Sequence, residues 1–243
     1  GPLAANCIVM WEVGSSRAIV VDPGDEPERI TDFIESHSLK VQCIVCTHAH
    51  FDHFLASGEL KKATGAILCL HEHDRELWDM LDIQCRMFGV PFAPVPPPDY
   101  WLKDEEQLLI GQVKAVALHT PGHTPGSMSF HVPEGNVVLA GDTLFRGSIG
   151  RTDLWGGDFD AIEQSIRERL ERYHSPSVVN RIIGAGEDAT LRTEEREITV
   201  LFADLVGFTP FAEERDAEDV RETLTRYFDL ARDVIGRYGG VVE

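Results

Sequence analysis

Residues 41–53 read VQCIVCTHAHFDH, an apolar run that ends in three histidines and an aspartate. The β-branched and apolar residues of the segment 41–46 are typical of a buried strand. The histidines and the aspartate follow where that strand opens into a loop. Imidazole and carboxylate groups are the ligands that zinc and similar divalent ions accept. The stretch therefore predicts a metal site at a strand end, the alternative being a histidine-rich surface turn.

Two later segments each offer one further ligand at the end of an apolar run. Residues 119–127 read HTPGHTPGS and contain His123, and residues 137–143 read VVLAGDT and contain Asp142. Taken alone, His123 would be a loop histidine and Asp142 a turn or cap residue. Together with the first stretch they predict ligands that converge from separate strand ends. The other histidines, among them His71 and His73 at the exit of another apolar strand, show no ligand pattern, and surface or strand roles are expected for them.

The spacing of apolar residues predicts a mixed α/β chain. Paired strands are expected over 7–13 and 17–22, and a run of strands over 108–140. A helix capped by Asp25 should bury Ile30, Phe33 and Ile34. Further helices are expected over 72–81 and, capped by Asp158, over 159–170. Strands in two runs separated by helices fit two sheets with helices outside.

The combination of HAHFDH, TPGHTPGS and AGDT resembles the metallo-β-lactamase-fold hydrolases. The segment FRGSIGRTDLWGGD (145–158) is most similar to their glyoxalase II-like branch, the hydroxyacylglutathione hydrolase family. The resemblance covers residues 1 to about 195 and implies an αββα sandwich. It also implies six metal ligands: His48, His50 and His123 for a first ion, and Asp52 and His53 for a second, with Asp142 bridging.

The implied activity is hydrolysis of a small thioester, such as a hydroxyacylglutathione, by a hydroxide held between the ions. Adjacent cations lower the pKa of bound water and polarise a carbonyl. Asp52 and Asp142 are the candidate catalytic carboxylates, and zinc is the expected cofactor, one or two ions, with iron as an alternative. Arg151, in the stretch GRTD, is the candidate contact for a glutathione carboxylate; the alternative is an ordinary surface arginine.

One position departs from the family pattern. Such hydrolases close the second metal site with a histidine in a Gly-His-Gly turn, whereas residues 184–186 read Gly-Ala-Gly. Ala185 cannot bind a metal, so we expect a weakened second site and an impaired enzyme, unless Glu187 or Asp188 substitutes as a ligand.

Two other functions stay open. The first is a mono-iron glutathione persulfide dioxygenase that uses His48, His123 and Asp142. The second is a non-catalytic, metal-binding sensory module associated with a nucleotide cyclase. We favour the hydrolase because the other ligands persist and metal-activated water needs only one open coordination position.

The segment from Glu195 onward has a different character. Residues 195–209 read EREITVLFADLVGFT and resemble the opening of a class III adenylate/guanylate cyclase domain, with Asp204 at the first metal position. A strand over 198–203 and an amphipathic helix over 216–237 are expected. The alternative is a plain amphipathic segment in which Asp204 caps a strand end.

The sequence therefore predicts a metallo-β-lactamase-like domain over 1–194 and a truncated cyclase-like βα fragment over 195–243. In such cyclases the remaining catalytic residues lie beyond this helix, so we expect no cyclase activity. An exposed strand edge and an apolar helix face would favour self-association through this fragment.

Composition limits the partners. The 243 residues carry a formal net charge of −19, which would repel nucleic acid and anionic membranes, so neither is expected. No charged, apolar leader and no apolar run approaching ~20 residues is apparent. The five cysteines lie mostly in apolar runs, as reduced thiols would. We expect a cytoplasmic protein whose partner is a small-molecule substrate, a glutathione conjugate.

Overall fold

The computed structural model describes residues 1, 3–145, 147–170, 183 and 215–237. The chain divides into two compact units, Gly1–Leu191 and Arg192–Glu243. Both sheets and all the candidate ligands described below belong to the first unit. In the described part of the chain, no helix combines the length and apolarity needed to span a membrane.

The first sheet contains the strand that precedes the HAHFDH stretch. Its five strands, in spatial and chain order, are β1 (Ile8–Trp11), β2 (Arg17–Val21), β3 (Lys40–Val45), β4 (Ile67–His71) and β5 (Tyr100–Leu102). β1 pairs antiparallel with β2, as predicted for 7–13 and 17–22, and the remaining pairs are parallel. Because parallel strands end at the same edge of a sheet, the residues after β2, β3 and β4 lie side by side.

The second sheet is antiparallel and comes from the predicted run of strands. Its members are β6 (Gln107–Ile110), β7 (Val113–His119), β8 (Met128–Val132) and β9 (Val137–Leu139). A short hairpin of β10 (Leu144–Phe145) and β11 (Ser148–Ile149) follows. Sequence reasoning missed β5 and this hairpin because strands of two or three residues are too short to show a periodicity.

Helices cover the outer faces of both sheets. Those packed on the first sheet are α1 (Pro27–Ser36), α2 (Phe51–Phe54), α3 (Ser57–Thr64), α4 (Arg75–Asp79) and α5 (Leu81–Phe88). The second sheet is covered by α6 (Phe159–Ser165), which continues into a π-helical turn, Ile166–Leu170. A separate apolar core lies between the two sheets. These layers confirm the predicted αββα sandwich.

Strand β2 shows how one short sequence serves two cores. Ala18 and Val20 are fully buried against the helices, whereas Ile19 and Val21 point into the core between the sheets. Alternate side chains of a strand point to opposite faces, so a strand buried on both faces reads as a continuous apolar run.

Three details of the predicted helices differ from the structure. The helix expected over 72–81 is a 3-10 turn, Glu72–Asp74, followed by α4 and α5, and it is interrupted at Met80, whose φ and ψ are −99° and 11°. The residue before α1 is Glu26, in a left-handed conformation without a side-chain cap, and not Asp25. Phe33, expected to be buried, is 37% exposed and stacks on the exposed His37, with ring centroids 4.1 Å apart.

Two helix starts agree with the sequence. The Asp158 carboxylate accepts from the amide of Ala161 at 3.0 Å and caps α6, as predicted. In the second unit, α7 (Ala217–Arg237) confirms the helix expected over 216–237. Asp216 accepts from two amides of its first turn. The strand expected over 198–203 and Asp204 lie outside the described residues.

Candidate metal centre

The six predicted ligands come from three loops at one edge of the sandwich. The first loop follows β3 and carries His48 and His50, and it runs into the short helix α2, which carries Asp52 and His53. The turn between β7 and β8 carries His123, and the loop after β9 carries Asp142. The amide of Met128 donates to the carbonyl of Thr47 at 2.8 Å and so joins the start of β8 to the first loop.

One group of possible ligands consists of three buried histidines. His48, His50 and His123 each present a ring nitrogen, and these nitrogens all lie within 4.8 Å of one another. Nδ1 of His50 lies 3.0 Å from Nε2 of His123. Nε2 of His48 is buried and has no hydrogen-bond partner. The structure therefore brings together the three histidines predicted for the first ion.

A second group adjoins the first and shares His48. The ligand atoms of His48, His53 and Asp142 also lie within 4.8 Å of one another. Nε2 of His53 is 3.4 Å from Oδ1 of Asp142 and 3.6 Å from Oδ2 of Asp52. The other oxygen of Asp142 lies 3.7 Å from Nε2 of His123, so this carboxylate stands between the two groups.

Polar groups outside the cluster fix the orientation of the histidine rings. The buried Asp22 carboxylate accepts from the amide and the hydroxyl of Thr47, at 2.6 and 2.7 Å, and lies 3.0 Å from Nδ1 of His53. Oγ1 of Thr47 is 3.0 Å from Nδ1 of His48. Since the Thr47 hydroxyl donates to Asp22, Nδ1–H of His48 donates to Thr47. This tautomer leaves the Nε2 lone pair of His48 for an ion, whereas Nε2 of His53 would release its proton on binding one.

The ring of His123 is oriented by a main-chain carbonyl group instead of a side chain. Its Nδ1 donates to the carbonyl oxygen of Arg151 at 2.8 Å, which directs Nε2 toward the cluster. Gly150 allows the chain after β11 to approach Asp142 and His123 closely. A Cβ on Gly150 would overlap the carbonyl oxygen of Asp142 and lie 3.3 Å from Nδ1 of His123. Only glycine fits at position 150 without displacing a ligand loop.

Two buried polar side chains that sequence reasoning missed hold the loops together. Asp74 accepts from the amides of Ala49 and Gly126, at 2.9 and 2.6 Å, and from the hydroxyl of Thr124 at 2.9 Å. Gln84 accepts from the amide of Phe51 at 3.1 Å and donates to the carbonyl of Ala49 at 3.1 Å. Thr47 was also missed, because its role depends on Asp22, 25 residues away.

The electrostatics of the cluster favour neutral imidazoles at two positions. Burial and the neighbouring histidines lower the pKa of His48 well below its usual value and that of His50 to about 3. Burial also acts to lower the pKa of His53, but hydrogen bonds to Asp142 and Asp22 outweigh it and raise that pKa to about 10. Burial opposes ionisation of Asp142, but His53 keeps its pKa below the usual value. Neutral imidazole and ionised carboxylate are the forms that bind a metal ion.

The side chain of Arg151, the predicted substrate contact, already has an ionic partner. Its guanidinium donates from Nε and Nη2 to the two carboxylate oxygens of Asp153, at 2.6 and 2.7 Å. Both side chains are more than half exposed. Position 151 thus lies beside the cluster, with its carbonyl on His123 and its side chain toward solvent. Ala185 and Asp204 lie outside the described residues.

Comparisons with known proteins agree on the family. Residues 1–173 match the family model described as the metallo-beta-lactamase superfamily. Hydroxyacylglutathione hydrolase GloC of Haemophilus influenzae is 36% identical over 193 residues, which are 79% of this chain and 90% of that protein.

Two solved structures add to this likeness. The BLEG-1 B3 metallo-β-lactamase superposes with a TM-score of 0.66 and 34% identity, over 72% of this chain and 84% of the other. The structure of TTHA1623 in a di-iron-bound form gives a TM-score of 0.65 and 37% identity, over 70% of this chain and 83% of the other.

Proposed function

Because this chain belongs to the metallo-β-lactamase superfamily, we propose that it is a metal-dependent hydrolase of a small thioester of the hydroxyacylglutathione type. The observation that carries the proposal is the unpaired Nε2 of His48. A buried polar atom without a partner costs free energy. An ion at this position would satisfy it, and the donor set of imidazoles and carboxylates suits zinc or iron.

The described residues offer ligands for two ions. His48, His50 and His123 would hold one, and Asp52 and His53 the other, with Asp142 between them. A divalent ion bound here supplies water activated at neutral pH and polarises the substrate carbonyl. Zinc is our proposed metal, one or two ions, and iron is the alternative.

The two carboxylates are the more accessible members of the cluster. The side chains of Asp52 and Asp142 are 17% and 28% exposed, whereas those of His53 and His123 are 6% and 3% exposed. A substrate therefore meets the carboxylate side first. Burial raises the pKa of Asp52, which suits a group that orients the attacking water and accepts its proton at Oδ2.

The thioester substrate is proposed from the likeness to a hydroxyacylglutathione hydrolase. Arg151 is the proposed contact for a glutathione carboxylate, and Asp153 competes for the same guanidinium. All five cysteines are free thiols, which fits a reducing compartment such as the cytoplasm. A glutathione conjugate belongs to the same compartment.

The proposal is tested by metal analysis and turnover of the same samples. Metals per chain are measured for the wild type, and hydrolysis of a hydroxyacylglutathione is followed at several substrate concentrations. We expect bound zinc or iron and thioester hydrolysis that disappears on chelation and returns with the metal. Bound metal without turnover would favour the sensory module. Oxygen uptake with iron and glutathione persulfide would favour the dioxygenase.

Ala185 gives a second arm to this test. We propose that the missing histidine lowers the affinity for the ion held by Asp52 and His53. Ala185→His should therefore raise both the metal content and the thioesterase rate. Ala185→Gln is the matched control, because its amide is a poor zinc ligand. An Ala185→His variant with unchanged metal content and rate would show that this position does not limit the second site.

A separate proposal concerns the C-terminal segment, residues 195–243. We propose that the boundary near residue 194 separates the hydrolase from a cyclase-like segment, 195–243, which lacks cyclase activity. The support is α7 at the expected place. Asp204 is its candidate metal position. An assay for cyclic nucleotide formation from ATP or GTP with added Mg²⁺ or Mn²⁺ should show no product, and measurable product would contradict the proposal.

A further inference from the structure

A second group of three histidines lies in the first unit, apart from the ligands discussed above. His71 is the last residue of β4, in the five-stranded sheet, and His73 belongs to the 3-10 turn that follows. His119 is the last residue of β7, in the four-stranded sheet. The group therefore joins the ends of two strands that belong to different sheets.

The geometry of this group resembles that of the first one. One ring nitrogen of each residue lies within 4.8 Å of the others. The rings of His71 and His119 stack with centroids 4.2 Å apart, and the ring of His73 meets that of His71 edge-on at 4.7 Å. His71 is buried, His119 is half-buried and His73 is exposed. An ion would thus reach the group from solvent through His73.

The hydrogen bonds leave lone pairs for an ion. Nε2 of His119 lies 2.9 Å from the carbonyl oxygen of Pro125, so Nε2 carries the proton and Nδ1 keeps its lone pair. Nδ1 of His71 accepts from the amide of His73 at 3.3 Å, a long hydrogen bond that an ion would displace. The side chain of His73 is exposed, and its ring meets those of His71 and His119 edge-on.

The charges around the group also suit a cation. Burial and the adjacent histidines lower the pKa of His71 to about 4, so this ring is neutral at physiological pH. The carboxylate of Asp104 accepts from the amide of His119 at 2.9 Å, and its charge acts on His71. Asp104 also pairs with Arg169 at 2.7 Å. Three imidazoles beside one carboxylate form a donor set typical of zinc and other borderline divalent ions.

We propose that His71, His73 and His119 form a second, separate metal site that binds a divalent transition-metal ion such as zinc and links the two sheets. The ion would connect the ends of β4 and β7 through these three imidazoles. Because an ion that binds the folded chain and not the unfolded chain stabilises the fold, zinc should raise the unfolding temperature through this site.

The test uses zinc itself with the full chain. Wild type, His73→Gln and His37→Gln are dialysed against one buffered free zinc concentration, and zinc per chain is measured. His37 is the matched control because it is exposed and lies at the end of α1. We expect His73→Gln to bind one zinc fewer than the other two proteins. Loss of a group that merely supports a ligand weakens metal binding by about 10- to 100-fold, so loss of a ligand should weaken this site at least as much.

Anomalous diffraction at the zinc edge then locates the ions in crystals of the full chain. A peak between the rings of His71, His73 and His119 is expected, in addition to any peak at His48. Equal zinc content in wild type and His73→Gln would overturn the proposal. Peaks confined to the first cluster, in crystals grown with excess zinc, would also overturn it. Neither result depends on thioesterase activity, so this proposal and the proposed function fail separately.

Discussion

A single hydroxyl group connects the Asp22 carboxylate to the ring of His48. Thr47→Val removes that hydroxyl with little change in side-chain volume. Nδ1 of His48 then loses its acceptor and Asp22 loses one donor. Because such supporting groups are worth about 10- to 100-fold in metal affinity, zinc binding should weaken by that factor in competition with a chromophoric chelator.

Thr64→Val is the matched control for this change. Its hydroxyl donates to the carbonyl of Leu60 within α3, away from the ligands. Zinc affinity should stay at the wild-type level in this variant. Equal affinities for Thr47→Val and wild type would show that the hydroxyl does not support the metal ligands.

Gly150 tests the close approach of two ligand loops. A Cβ there would overlap the Asp142 carbonyl, so Gly150→Ala should displace Asp142 or His123 and lower both metal content and thermal stability. Gly135→Ala is the control, since its Cβ would make only an ordinary contact with Val137 at 3.6 Å. Metal content equal to that of wild type in Gly150→Ala would contradict the expected clash.

In the metal-free chain, the combined contribution of His50 and His53 to stability should be greatest near pH 6.5. The folded-state pKa of His50 is about 3, below the ordinary 6.5, so the unfolded chain binds this proton first and stability falls as pH drops from 6.5 towards 3. The folded-state pKa of His53 is about 10, so its contribution is complete below pH 6.5 and is lost as pH rises through 10.

Urea unfolding of the chelator-treated chain at several pH values measures this profile. His50→Gln removes one titrating group, so its loss of stability between pH 6.5 and 3 should be smaller than that of the wild type. Parallel profiles for the two proteins over that range would contradict the proposed pKa of His50.

At this scale the sequence predicted the residues that the structure brings together in the cluster, but not the polar groups that support them. Four of these residues fall within positions 48–53, so their metal-binding chemistry is recognisable from the sequence alone: His48, His50, Asp52 and His53. Asp74 and Gln84 are ordinary polar residues of a helical segment, and their importance arises from amides that lie 25 to 52 residues away in the chain. The grouping of His119 with His71 and His73 likewise appears only when two sheets are packed together.

At the scale of elements, α6 supports the turn that carries His123. The amide of Asp158 donates to the carbonyl of Gly122 at 2.8 Å. The hydroxyl of Ser165 donates to the carbonyl of Pro121 at 2.7 Å. Ile162 is fully buried against this turn, where a Cβ on Gly122 would overlap it. The start of α6 is therefore coupled to the position of His123, a candidate ligand.

Removal of the α6 cap tests this coupling. Asp158→Ala deletes the acceptor for the Ala161 amide and should lower the free energy of unfolding by about 1 kcal/mol, within the ~0.5–2 kcal/mol found for such caps. Asp160→Ala, in the same first turn, is the control and should cost less. Chemical denaturation measures both. Equal losses for the two variants would indicate a general charge effect and not a cap.

Long, periodic elements were predictable and short or tertiary-determined ones were not. The strands β2, β3, β7 and β8 were found because they carry continuous or alternating apolar residues. The segment 72–81 was expected to be one helix, but it is divided. Asp74 lies in a 3-10 turn, where it accepts from the amide of Ala49, and the helix breaks again at Met80. Helical periodicity alone does not contain these constraints.

At the scale of the whole molecule, the αββα architecture followed from the order of strands and helices together with the resemblance. The second unit contributes α7, on which Phe228, Leu230 and Val234 are exposed. We predict that the full chain self-associates through this helix, as apolar exposure favours. Sedimentation over a range of protein concentrations should show an average mass that rises with concentration.

Phe228→Glu should shift that distribution toward the monomer, because it places a charge in the apolar surface. Thr223→Glu adds the same charge at another exposed position of α7 and should leave the distribution unchanged. A wild-type chain that sediments as a monomer at every concentration would contradict the prediction.

The attachment of His123 to the main chain at position 151 leaves the identity of that side chain open to substitution. Every amino acid supplies a carbonyl, so any residue at 151 retains the acceptor for Nδ1 of His123. The side chain there points to solvent, beside the entrance to the cluster. We therefore expect that randomising this codon changes the selectivity of the proposed hydrolase while His123 keeps its orientation, which makes position 151 a natural starting point for directed evolution.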